Sequence, residues 1–416
     1  MNIAARKEFS GQFTVPGDKS ITHRAILFNA AAEGEAHIAG ALLGEDCLSS
    51  ASCMRALGAK VEISGADVRV IGTREFCDAP LLDCGNSGTT MRLLMGLLAG
   101  RNVHASLTGD ASLSARPMER VARPLRLLGA EIRTENGHAP VTVFPARLHG
   151  CFVQTQVASA QVKSAVILAA LGAAGETVVE EPLFTRDHTE RMLAAMGADI
   201  LAEGPRVTVR QSALRATDVN VPADISSAAY FLALGALRGE VVCKNVGVNP
   251  TRTGLLRVFD KMGVRYRLEN ERTECGEPVA DIRVFRSPLR PLHMGAELVP
   301  SLIDELPVIA VLCAFAEGES VISGAEELKV KESDRIAATS AMLNALGGDC
   351  TPTEDGFIIR GKKTLAGGRV RSLKDHRIAM SGAVALAASE RGGSIGDAEC
   401  VNISFPGFYE MLAKGE

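Results

Sequence analysis

Six segments of helix length consist almost entirely of small and apolar residues, and each of them ends in glycine. They span residues 20–34, 87–100, 160–175, 225–239, 305–318 and 376–392. A helix that is apolar nearly all round has no face to offer to water, so each segment is predicted to be a buried helix. Most of them continue directly into a short alternating segment, such as residues 176–179, which is typical of a strand.

A second recurring phrase is a helical segment that ends in a Leu-Gly or Met-Gly step and continues with alternating apolar residues. Its glycines are Gly58, Gly129, Gly197, Gly263 and Gly347. Glycine suits the left-handed position that follows a helix, and the alternation suits a half-buried strand. The two phrases predict an α/β fold of βαβαββ-like units of about 65–80 residues, present about six times as two domains of three. We place the domain crossings near Thr14 and Asp224.

The composition narrows the class of protein. With 416 residues, 46% of them hydrophobic, the chain is long enough for two or three domains. A formal net charge of -4 argues against a dedicated nucleic-acid protein.

No apolar run approaches the roughly 18 residues of a membrane span, and the N-terminus lacks the apolar core of a secretory signal. The ten cysteines form no Cys-x-x-Cys pair, which disfavours a zinc site and a disulfide framework. The expected compartment is therefore the reducing cytoplasm.

Polar residues collect where the apolar helices begin. They are Asp18, Lys19, Ser20 and Arg24; Asn86, Ser87 and Gly88; Ser159, Ala160 and Gln161; Asp224; Asp304 and Glu305; and Asp375, His376 and Arg377. Helix capping explains Ser159, Asp224 and Asp375. It does not explain Lys19, Arg24 or Arg377, because a cation near a helix N-terminus opposes the helix dipole. An anion held between cation and helix would resolve the conflict, and six such termini between two domains would form an anion-attracting cleft.

Three loops add charge near these positions. They carry Arg116, then Arg186, then the dense run of residues 326–335 with Lys331, Glu332 and Arg335. Taken alone, that run is typical of a solvated helix start, with Glu332 and Arg335 paired at i,i+3. Periodicity alone would also fit a repeat scaffold that binds protein partners, but such a scaffold has no need of cationic helix starts.

Five motifs resemble those of one enzyme family. They are residues 17–24 (GDKSITHR), 84–92 (CGNSGTTMR), 113–118 (LSARPM), 330–335 (VKESDR) and 375–377 (DHR). In this order and spacing they closely resemble the EPSP synthases, the 3-phosphoshikimate 1-carboxyvinyltransferases, over essentially the whole chain. The resemblance implies two similar domains of three βαβαββ units, an inside-out α/β barrel with buried helices and an active site in the interdomain cleft. Residues 14–224 would form the shikimate 3-phosphate side, and residues 1–13 with 225–416 the other domain.

The resemblance also implies a reaction. The 5-hydroxyl of shikimate 3-phosphate adds to phosphoenolpyruvate, and phosphate leaves from the tetrahedral intermediate, as a step of aromatic amino acid biosynthesis. The partners would be these two small anions, without nucleic acid, membrane, metal or organic cofactor, and the family expectation is a monomer. The substrates together bring a charge of roughly -5 to -6. The seven candidate cations against Asp304 and Glu332 leave a surplus of five positive charges.

By similarity, each substrate has its own set of residues. Shikimate 3-phosphate would be bound by Lys19, Ser20, Arg24, Ser159, Ala160, Gln161, Arg186, Asp304 and Lys331. Phosphoenolpyruvate would be bound by Lys19, Gly88, Arg116, Gln161, Arg335 and Arg377. Asp304 is the candidate base at the 5-hydroxyl, and Glu332 with Lys19 the candidate for proton transfer at the methylene carbon. Because nearby cations lower the pKa of a carboxyl group, Glu332 suits a base better than a proton donor.

Three positions depart from the family pattern. Ile403 stands where some members carry a lysine, Ala160 stands where many have serine, and Glu327 replaces a common asparagine. These choices resemble the divergent bacterial branch of the family. Gly88 implies at least partial sensitivity to glyphosate, which occupies the phosphoenolpyruvate position and would be crowded by a side chain there.

Two other functions remain open at this point. UDP-N-acetylglucosamine enolpyruvyl transferases share the fold but carry a reactive cysteine before their Arg-Pro step, and residues 110–116 contain none. They also usually have Lys-Asn where this chain has Lys19 and Ser20. An inactive anion-binding homologue would keep the cations and could lose Asp304 or Glu332, both of which are present.

Overall fold

The computed structural model describes residues 1–415, which divide into two compact units. Unit 1 comprises Met1–Pro16, Pro222–Arg272 and the chain from Pro278 onward, and unit 2 comprises Gly17–Val221 and Thr273–Glu277. Each unit has its own apolar core, as expected for an independent domain.

The chain forms strands, α-helices and short 3₁₀ helices. The strands are β1 (Asn2–Ile3), β2 (Gly11–Phe13), β3 (Glu35–Ala39), β4 (Lys60–Ser64), β5 (Asp67–Ile71), β6 (Ala79–Asp83), β7 (Ala105–Thr108), β8 (Glu131–Glu135), β9 (His138–Phe144), β10 (Phe152–Gln154), β11 (Glu176–Glu180), β12 (Ile200–Glu203), β13 (Arg206–Arg210), β14 (Val219–Asn220), β15 (Glu240–Gly247), β16 (Arg265–Glu274), β17 (Glu277–Phe285), β18 (His293–Met294), β19 (Gly318–Ile322), β20 (Cys350–Pro352), β21 (Phe357–Gly361), β22 (Gly368–Arg371) and β23 (Gly393–Gly396). The α-helices are α1 (Lys19–Ala30), α2 (Glu45–Ala56), α3 (Gly88–Arg101), α4 (Ala111–Ser114), α5 (Glu119–Leu127), α6 (Ala160–Ala170), α7 (His188–Ala195), α8 (Ile225–Arg238), α9 (Gly254–Met262), α10 (Leu306–Ala314), α11 (Arg335–Ala345), α12 (His376–Ala387) and α13 (Phe408–Lys414). The 3₁₀ helices are Val299–Ser301, Glu326–Val330 and Ala398–Ile403.

Unit 2 contains three four-stranded sheets of the same design. Their strand orders are β14-β3-β5-β4, β6-β7-β9-β8 and β10-β11-β13-β12. In each sheet the first two strands are parallel and the remaining pairs are antiparallel. A parallel pair needs a crossover connection, and the apolar helices α3 and α6 provide it in the second and third sheets.

Unit 1 repeats the design twice and then departs from it. Two of its sheets have the orders β16-β17-β15-β2 and β18-β19-β21-β20, but the third has only three strands, β1-β23-β22. The repeat predicted to occur about six times is present, but its last copy is incomplete. After β23 the chain forms a 3₁₀ helix and α13 instead of a helix and a hairpin. β1 pairs antiparallel with β23 and occupies the position that a hairpin strand has in the other sheets, while Phe405 and Phe408 from the C-terminal segment are buried in the core.

The first strand of each unit comes from a distant part of the chain. β2 precedes α1 in sequence, yet it pairs in parallel with β15 of unit 1. β14 precedes α8 in sequence, yet it pairs in parallel with β3 of unit 2. Each unit thus completes its first sheet with a strand from a distant part of the chain.

The six apolar segments form buried helices, as predicted. α10 is buried along its whole length, and so is α12. The predicted ends were wrong in four cases, because α1, α6, α10 and α12 stop several residues before the glycine. Gly34, Gly175 and Gly392 lie instead in the turns that lead to the next strand, with φ angles of +113° at Gly34 and +90° at Gly175, and Gly318 is the first residue of β19. No helix within residues 1–415 is both long enough and apolar enough to cross a membrane.

The five Leu-Gly and Met-Gly steps end helices in the predicted way. Their glycines have φ angles between +74° and +104°, the left-handed region that L side chains rarely adopt. Each is followed by a strand: β4, β8, β12, β16 or β20. These helix ends can be predicted from the sequence because the backbone conformation at each of them favours glycine.

Helices α3 and α6 approach each other so closely that only glycine fits at their contact. A Cβ atom placed on Gly96 would lie 2.0 Å from the carbonyl oxygen of Ala165, and one placed on Gly172 would lie 1.8 Å from that of Gly100. Real atoms cannot approach so closely, so a side chain at these points would push the two backbones apart.

We expect the Gly96→Ala variant to lower the free energy of unfolding by about 1–3 kcal/mol or more, because overpacking forces the helices apart. Urea unfolding of the purified protein measures the change. Gly396→Ala is the matched control, since a Cβ there would meet only the Val370 carbonyl oxygen at 3.8 Å. Equal stability of the two variants would show that α3 and α6 tolerate a wider spacing.

Candidate functional site

The start of α1 places a lysine against a carboxylate in unit 2. Asp18 caps the helix by accepting a hydrogen bond from the Ile21 N–H at 2.9 Å. The Lys19 ammonium forms an ion pair with the carboxylate of Asp46 on α2. Burial raises the pKa of Asp46, but the charge and hydrogen bond of Lys19 outweigh it and hold that pKa below its usual range. Lys19 is thus a fixed cation beside the first turn of a buried helix.

Arg24, one turn further along α1, is almost completely buried. Its Nη1 donates to the Ser20 carbonyl oxygen at 2.9 Å. Burial lowers the pKa of Arg24 to about 10, against the opposing effect of Glu190 and Asp18. The charge of Arg186 also lowers this pKa, so the two predicted shikimate 3-phosphate ligands lie close enough to interact. An anion bound near them would be attracted by both.

The start of α3 gathers a second set of candidate residues. Gly88 is the first residue of the helix, and Ser87 caps it by accepting from the Thr90 N–H. A Cβ on Gly88 would lie 3.3 Å from Arg116 Nη1, so the predicted phosphoenolpyruvate ligands Gly88 and Arg116 are neighbours. Arg116 also donates to the Asn86 side-chain oxygen at 2.6 Å. Motif residues 86–88 and 116 therefore form one cluster.

Arg92 also belongs to this cluster, although no role was predicted for it from the sequence. It is buried, and its Nη1 donates to the side-chain oxygen of Gln161 on α6, while Gln161 donates to the Thr89 hydroxyl at 2.9 Å. A Cβ on Gly88 would lie 3.4 Å from Arg92 Nη1. Arg92 is the last residue of the motif 84–92. A charged residue in an otherwise apolar helix is the sequence signal that could have identified it.

The start of α6 corrects one prediction. Ser159 occupies the N-cap position, but its side chain accepts no capping hydrogen bond, so capping does not explain this serine. Asp224 and Asp375 do cap their helices, through the N–H groups of Ser226 and Arg377. The Ser159 hydroxyl is thus not committed to the helix end, and Ala160 beside it offers only its backbone.

A chain of buried hydroxyl groups links three helix starts in unit 2. His23 Nδ1 lies 2.8 Å from the Ser50 hydroxyl, which is 2.7 Å from that of Thr90, which is 2.7 Å from that of Ser87. Burial lowers the pKa of His23 to about 3, with a further contribution from Lys19. The imidazole is therefore neutral at physiological pH and acts as a structural link.

In unit 1, Arg335 is the centre of a carboxylate cluster. Only 1% of its side chain is exposed. Its Nε lies 2.9 Å from Asp375, its Nη2 2.6 Å from Glu332 and its Nη1 3.5 Å from Asp304. The predicted pairing of Glu332 with Arg335 is confirmed. Both predicted proton-transfer carboxylates, Asp304 and Glu332, thus lie beside one predicted phosphoenolpyruvate ligand.

The charges of this cluster shift the pKa values of its members. Burial raises the pKa of Glu332, but the charge of Arg335 and further contributions, among them a backbone hydrogen bond, together outweigh it and lower that pKa to about 2. Burial lowers the pKa of His376 to about 3, with Arg377 adding to the effect. Burial also lowers the pKa of Arg377, but Tyr230, Asp304 and other acidic neighbours raise it overall. At neutral pH the cluster holds ionised Glu332, neutral His376 and charged Arg377.

The remaining predicted positions differ in exposure. Lys331 is half-buried and follows the 3₁₀ helix Glu326–Val330. Glu327 and Ile403, two of the family departures, are exposed. Leu373 and Lys374, which precede Asp375, have φ angles of 55° and 59°, a backbone conformation that is uncommon for residues other than glycine. Nowhere in residues 1–415 do three or more His, Cys, Asp or Glu side chains gather in a way that could hold a metal ion.

The predicted residues therefore form two groups, one in each unit. Unit 2 carries Lys19, Ser20, Arg24, Gly88, Arg116, Ser159, Ala160, Gln161 and Arg186. Unit 1 carries Asp304, Lys331, Glu332, Arg335 and Arg377. The charged residues of the first group are all cations, and the second group combines two carboxylates with three cations.

Comparison with known proteins identifies the family. A family model described as EPSP synthase (3-phosphoshikimate 1-carboxyvinyltransferase) matches residues 3–412. The chain belongs to the EPSP synthase family. The 3-phosphoshikimate 1-carboxyvinyltransferase of Desulfitobacterium hafniense (strain DSM 10664 / DCB-2) is 49% identical over 410 residues, which cover 97% of this chain and 94% of that protein. The enzyme of that name from Syntrophomonas wolfei subsp. wolfei is 48% identical over 418 residues, with 98% of each chain covered.

A solved structure confirms the fold class. The EPSP synthase of Acinetobacter baumannii superimposes with a TM-score of 0.90 at 45% identity, covering 99% of this chain and 97% of that one. The predicted family, its α/β fold and its activity as a 3-phosphoshikimate 1-carboxyvinyltransferase are thus confirmed. The names of the relatives favour shikimate 3-phosphate over UDP-N-acetylglucosamine as the acceptor.

We expect Gly88→Ala to weaken inhibition by glyphosate and to raise the KM for phosphoenolpyruvate. The added methyl group would lie 3.3 Å from Arg116 Nη1 and 3.4 Å from Arg92 Nη1, tighter than most contacts of a Cβ atom. Steady-state inhibition by glyphosate against phosphoenolpyruvate measures both constants, with Gly396→Ala as control. An unchanged inhibition constant would count against the placement of the inhibitor at Gly88.

We expect buried His23 to make the protein lose stability as the pH falls below about 6.5. In the unfolded chain this imidazole has its ordinary pKa of 6.5, whereas in the folded protein its pKa is about 3. Protonation therefore favours the unfolded state, by about 2 kcal/mol between pH 7 and pH 5 for this one group.

The test compares urea unfolding of the wild type and of His23→Asn at pH 5, 6 and 7. The wild type should lose more stability than the variant as the pH falls, while the exposed His293→Asn control should follow the wild type. Parallel curves for wild type and His23→Asn would mean that His23 takes up a proton in the folded protein.

Proposed function

We propose that the chain transfers the carboxyvinyl group of phosphoenolpyruvate to the 5-hydroxyl of shikimate 3-phosphate with the residues described above. One observation carries the assignment of roles: Arg335 contacts both Asp304 and Glu332. A cation able to bind a carboxylate or phosphate thus adjoins two groups able to transfer protons, the combination that an addition and elimination between two anions requires.

Shikimate 3-phosphate is assigned to Lys19, Ser20, Arg24, Ser159, Ala160, Gln161, Arg186, Asp304 and Lys331. The ion pair of Lys19 and the buried guanidinium of Arg24 support this assignment, because both are fixed cations at the start of a helix. Helix N-termini favour anions through their unpaired N–H groups and dipole. Ala160 can contribute only its backbone N–H, so the neighbouring Ser159 hydroxyl supplies the side-chain contact.

Phosphoenolpyruvate is assigned to Lys19, Gly88, Arg116, Gln161, Arg335 and Arg377. Gly88 and Arg116 support the assignment, since a glycine at the helix start lets an anion approach the backbone under a guanidinium. Gln161 shares its hydrogen bonds with Arg92 and Thr89, which fixes its amide group. Arg92 joins this set as an additional cation.

The chemistry is assigned to three residues. Asp304 accepts the proton of the 5-hydroxyl while that oxygen bonds to the enol carbon, and the methylene carbon takes up a proton. Lys19, which the family resemblance pairs with Glu332 for proton transfer at this carbon, is the proton carrier for this step. Glu332, ionised in the resting protein, accepts a proton from the new methyl group as phosphate leaves and the double bond re-forms.

The proposal also covers the compartment, the oligomeric state and the partners. The chain would work on two small anions in the cytoplasm as a monomer, with no metal or organic cofactor. UDP-N-acetylglucosamine is the alternative acceptor, and the absence of cysteine from residues 110–116 speaks against it.

We expect Asp304→Ala to lower kcat by about 10²–10⁴-fold, the usual contribution of a positioned acid or base. Phosphate release is followed with shikimate 3-phosphate and phosphoenolpyruvate, and in parallel with UDP-N-acetylglucosamine as acceptor. The control is Asp349→Asn, which alters an exposed carboxylate paired with Arg360.

Three outcomes separate the possibilities. Release with shikimate 3-phosphate alone, lost in Asp304→Ala and kept in Asp349→Asn, supports both acceptor and base. Release only with the nucleotide sugar would overturn the acceptor. Full activity of Asp304→Ala would remove Asp304 from the mechanism.

A further inference from the structure

Two buried hydroxyl groups in unit 2 hold the guanidinium of Arg24. Its Nε donates to the Thr189 hydroxyl at 2.7 Å, and its Nη2 donates to the Ser164 hydroxyl at 3.1 Å. The two hydroxyls lie 2.6 Å apart and bond to each other. Ser164 and Thr189 are both fully buried, on α6 and α7 respectively. Neither residue belongs to a motif or to a predicted ligand set.

This hydroxyl pair, Ser164 and Thr189, orients Arg24 from its buried side. A guanidinium has five N–H groups in one plane, and within residues 1–415 three of them are used by Thr189, Ser164 and the Ser20 carbonyl. One N–H remains on each terminal nitrogen. The bond to Ser20 is only partly buried, whereas the two bonds to the hydroxyl pair are buried. The guanidinium is thus held in one orientation, with N–H groups left for a ligand.

The residues that carry the hydroxyl pair are themselves anchored by charge. Lys163, next to Ser164, is fully buried and lies 2.8 Å from Glu181 and 2.7 Å from Glu190. Glu190, next to Thr189, also acts electrostatically on Arg24. Two cations and two carboxylates therefore balance each other, so α6 and α7 are joined at this point by buried ion pairs. Such pairs fix geometry even where their net contribution to stability is small.

We propose that Ser164 and Thr189 are positioning residues that set the affinity for shikimate 3-phosphate through Arg24. The inference rests on the proposed function, which assigns Arg24 to that substrate. A guanidinium that is already oriented binds an anion without losing the rotational freedom of a long side chain. Without the hydroxyls, Arg24 would keep its charge but lose its orientation, and its buried N–H groups would lose their partners.

The experiment measures shikimate 3-phosphate binding to the full chain by titration calorimetry, together with kcat and the KM for each substrate. Thr189→Val removes one hydroxyl and keeps the side-chain shape, and Ser164→Ala removes the other. Thr189→Ser restores a hydroxyl. The matched control is Thr142→Val, which breaks the 2.9 Å hydroxyl pair of Ser106 and Thr142 between β7 and β9 of the same unit.

We expect Thr189→Val to raise the Kd and KM for shikimate 3-phosphate about tenfold or more, and Ser164→Ala about three- to tenfold, since each leaves a buried charged donor without its partner. The KM for phosphoenolpyruvate should stay within about twofold of the wild type, as should all constants of Thr189→Ser and Thr142→Val. This selectivity for one substrate, with rescue by serine, is not expected of residues that only stabilise the fold.

Three results would overturn the inference. One is shikimate 3-phosphate binding within about twofold of the wild type in both Thr189→Val and Ser164→Ala. Another is an equal rise in the KM values of both substrates, and the third is a failure of Thr189→Ser to restore binding. If Thr189→Val does not fold, as judged by thermal unfolding, Ser164→Ala decides the matter by the same criteria.

Arg24→Lys separates this inference from the proposed function. If Arg24→Lys weakens shikimate 3-phosphate binding and the hydroxyl variants do not, the inference fails while the substrate assignment of Arg24 stands. If Arg24→Lys binds this substrate as the wild type does, the assignment of Arg24 is wrong and the inference falls with it.

Discussion

Helices buried on all sides impose the constraint on which the rest of this structure depends. α10 and α12 have no solvent-facing residues, and α3 and α6 touch through glycine backbones. A helix in this position can carry polar groups at its ends, or in its interior where buried partners satisfy them, as Glu181 and Glu190 do for Lys163 on α6. Because side chains lean toward the helix N-terminus, the first turn is where a buried helix can present charge. The chemistry of the chain is therefore concentrated at helix starts, with Lys19 and Arg24 on α1, Gly88 on α3 and Arg335 on α11.

Charges at such places have to be balanced, because burying an unpaired ion is costly. Lys19 is paired with Asp46, Lys163 with Glu181 and Glu190, and Arg335 with Asp375. These carboxylates also fix the direction of each cation before any ligand arrives. An anion site built in this way needs little reorganisation on binding, which is the property that electrostatic catalysis requires. The balance of charge that permits burial is thus also what orients the site.

The sequence predicted those features of the fold that rest on local requirements. Apolar composition identified the buried helices, and left-handed glycines such as Gly58 and Gly347 identified helix ends, because each is dictated by a few neighbouring residues. The end of α1 was not predictable in this way, since Gly34 serves the turn before β3 rather than the helix. The last repeat lacks its own hairpin and takes the N-terminal strand β1 as its third strand, a long-range pairing that no local periodicity reveals.

The candidate site shows the same difference between features set by neighbouring residues and features set by long-range contacts. The motifs gave the groups with obvious charge, and the structure brings these together within each unit. Arg92 and the hydroxyl pair of Ser164 and Thr189 escaped notice because their importance lies in contacts across long sequence separations, such as the 165 positions between Arg24 and Thr189. A serine or threonine in an apolar segment carries no local sign that an arginine from another helix will bond to it.

The contacts of Arg335 in unit 1 bear on the proton-transfer role proposed for Glu332. Arg335 forms ion pairs with Asp375, Glu332 and Asp304, so an anion that binds it through Nε or Nη2 competes with a carboxylate, while its Nη1 has no hydrogen-bond partner within residues 1–415. Asp375 is fully buried and caps α12, whereas the Glu332 side chain is 42% exposed and is free to move. If the phosphoenolpyruvate assigned to Arg335 took the place of Glu332 there, Glu332 would lose a cation that lowers its pKa and gain an anionic neighbour. Both changes would raise that pKa from its resting value of about 2 and make the carboxylate a better proton acceptor beside the substrate. Substrate binding would thus itself prepare Glu332 for proton transfer.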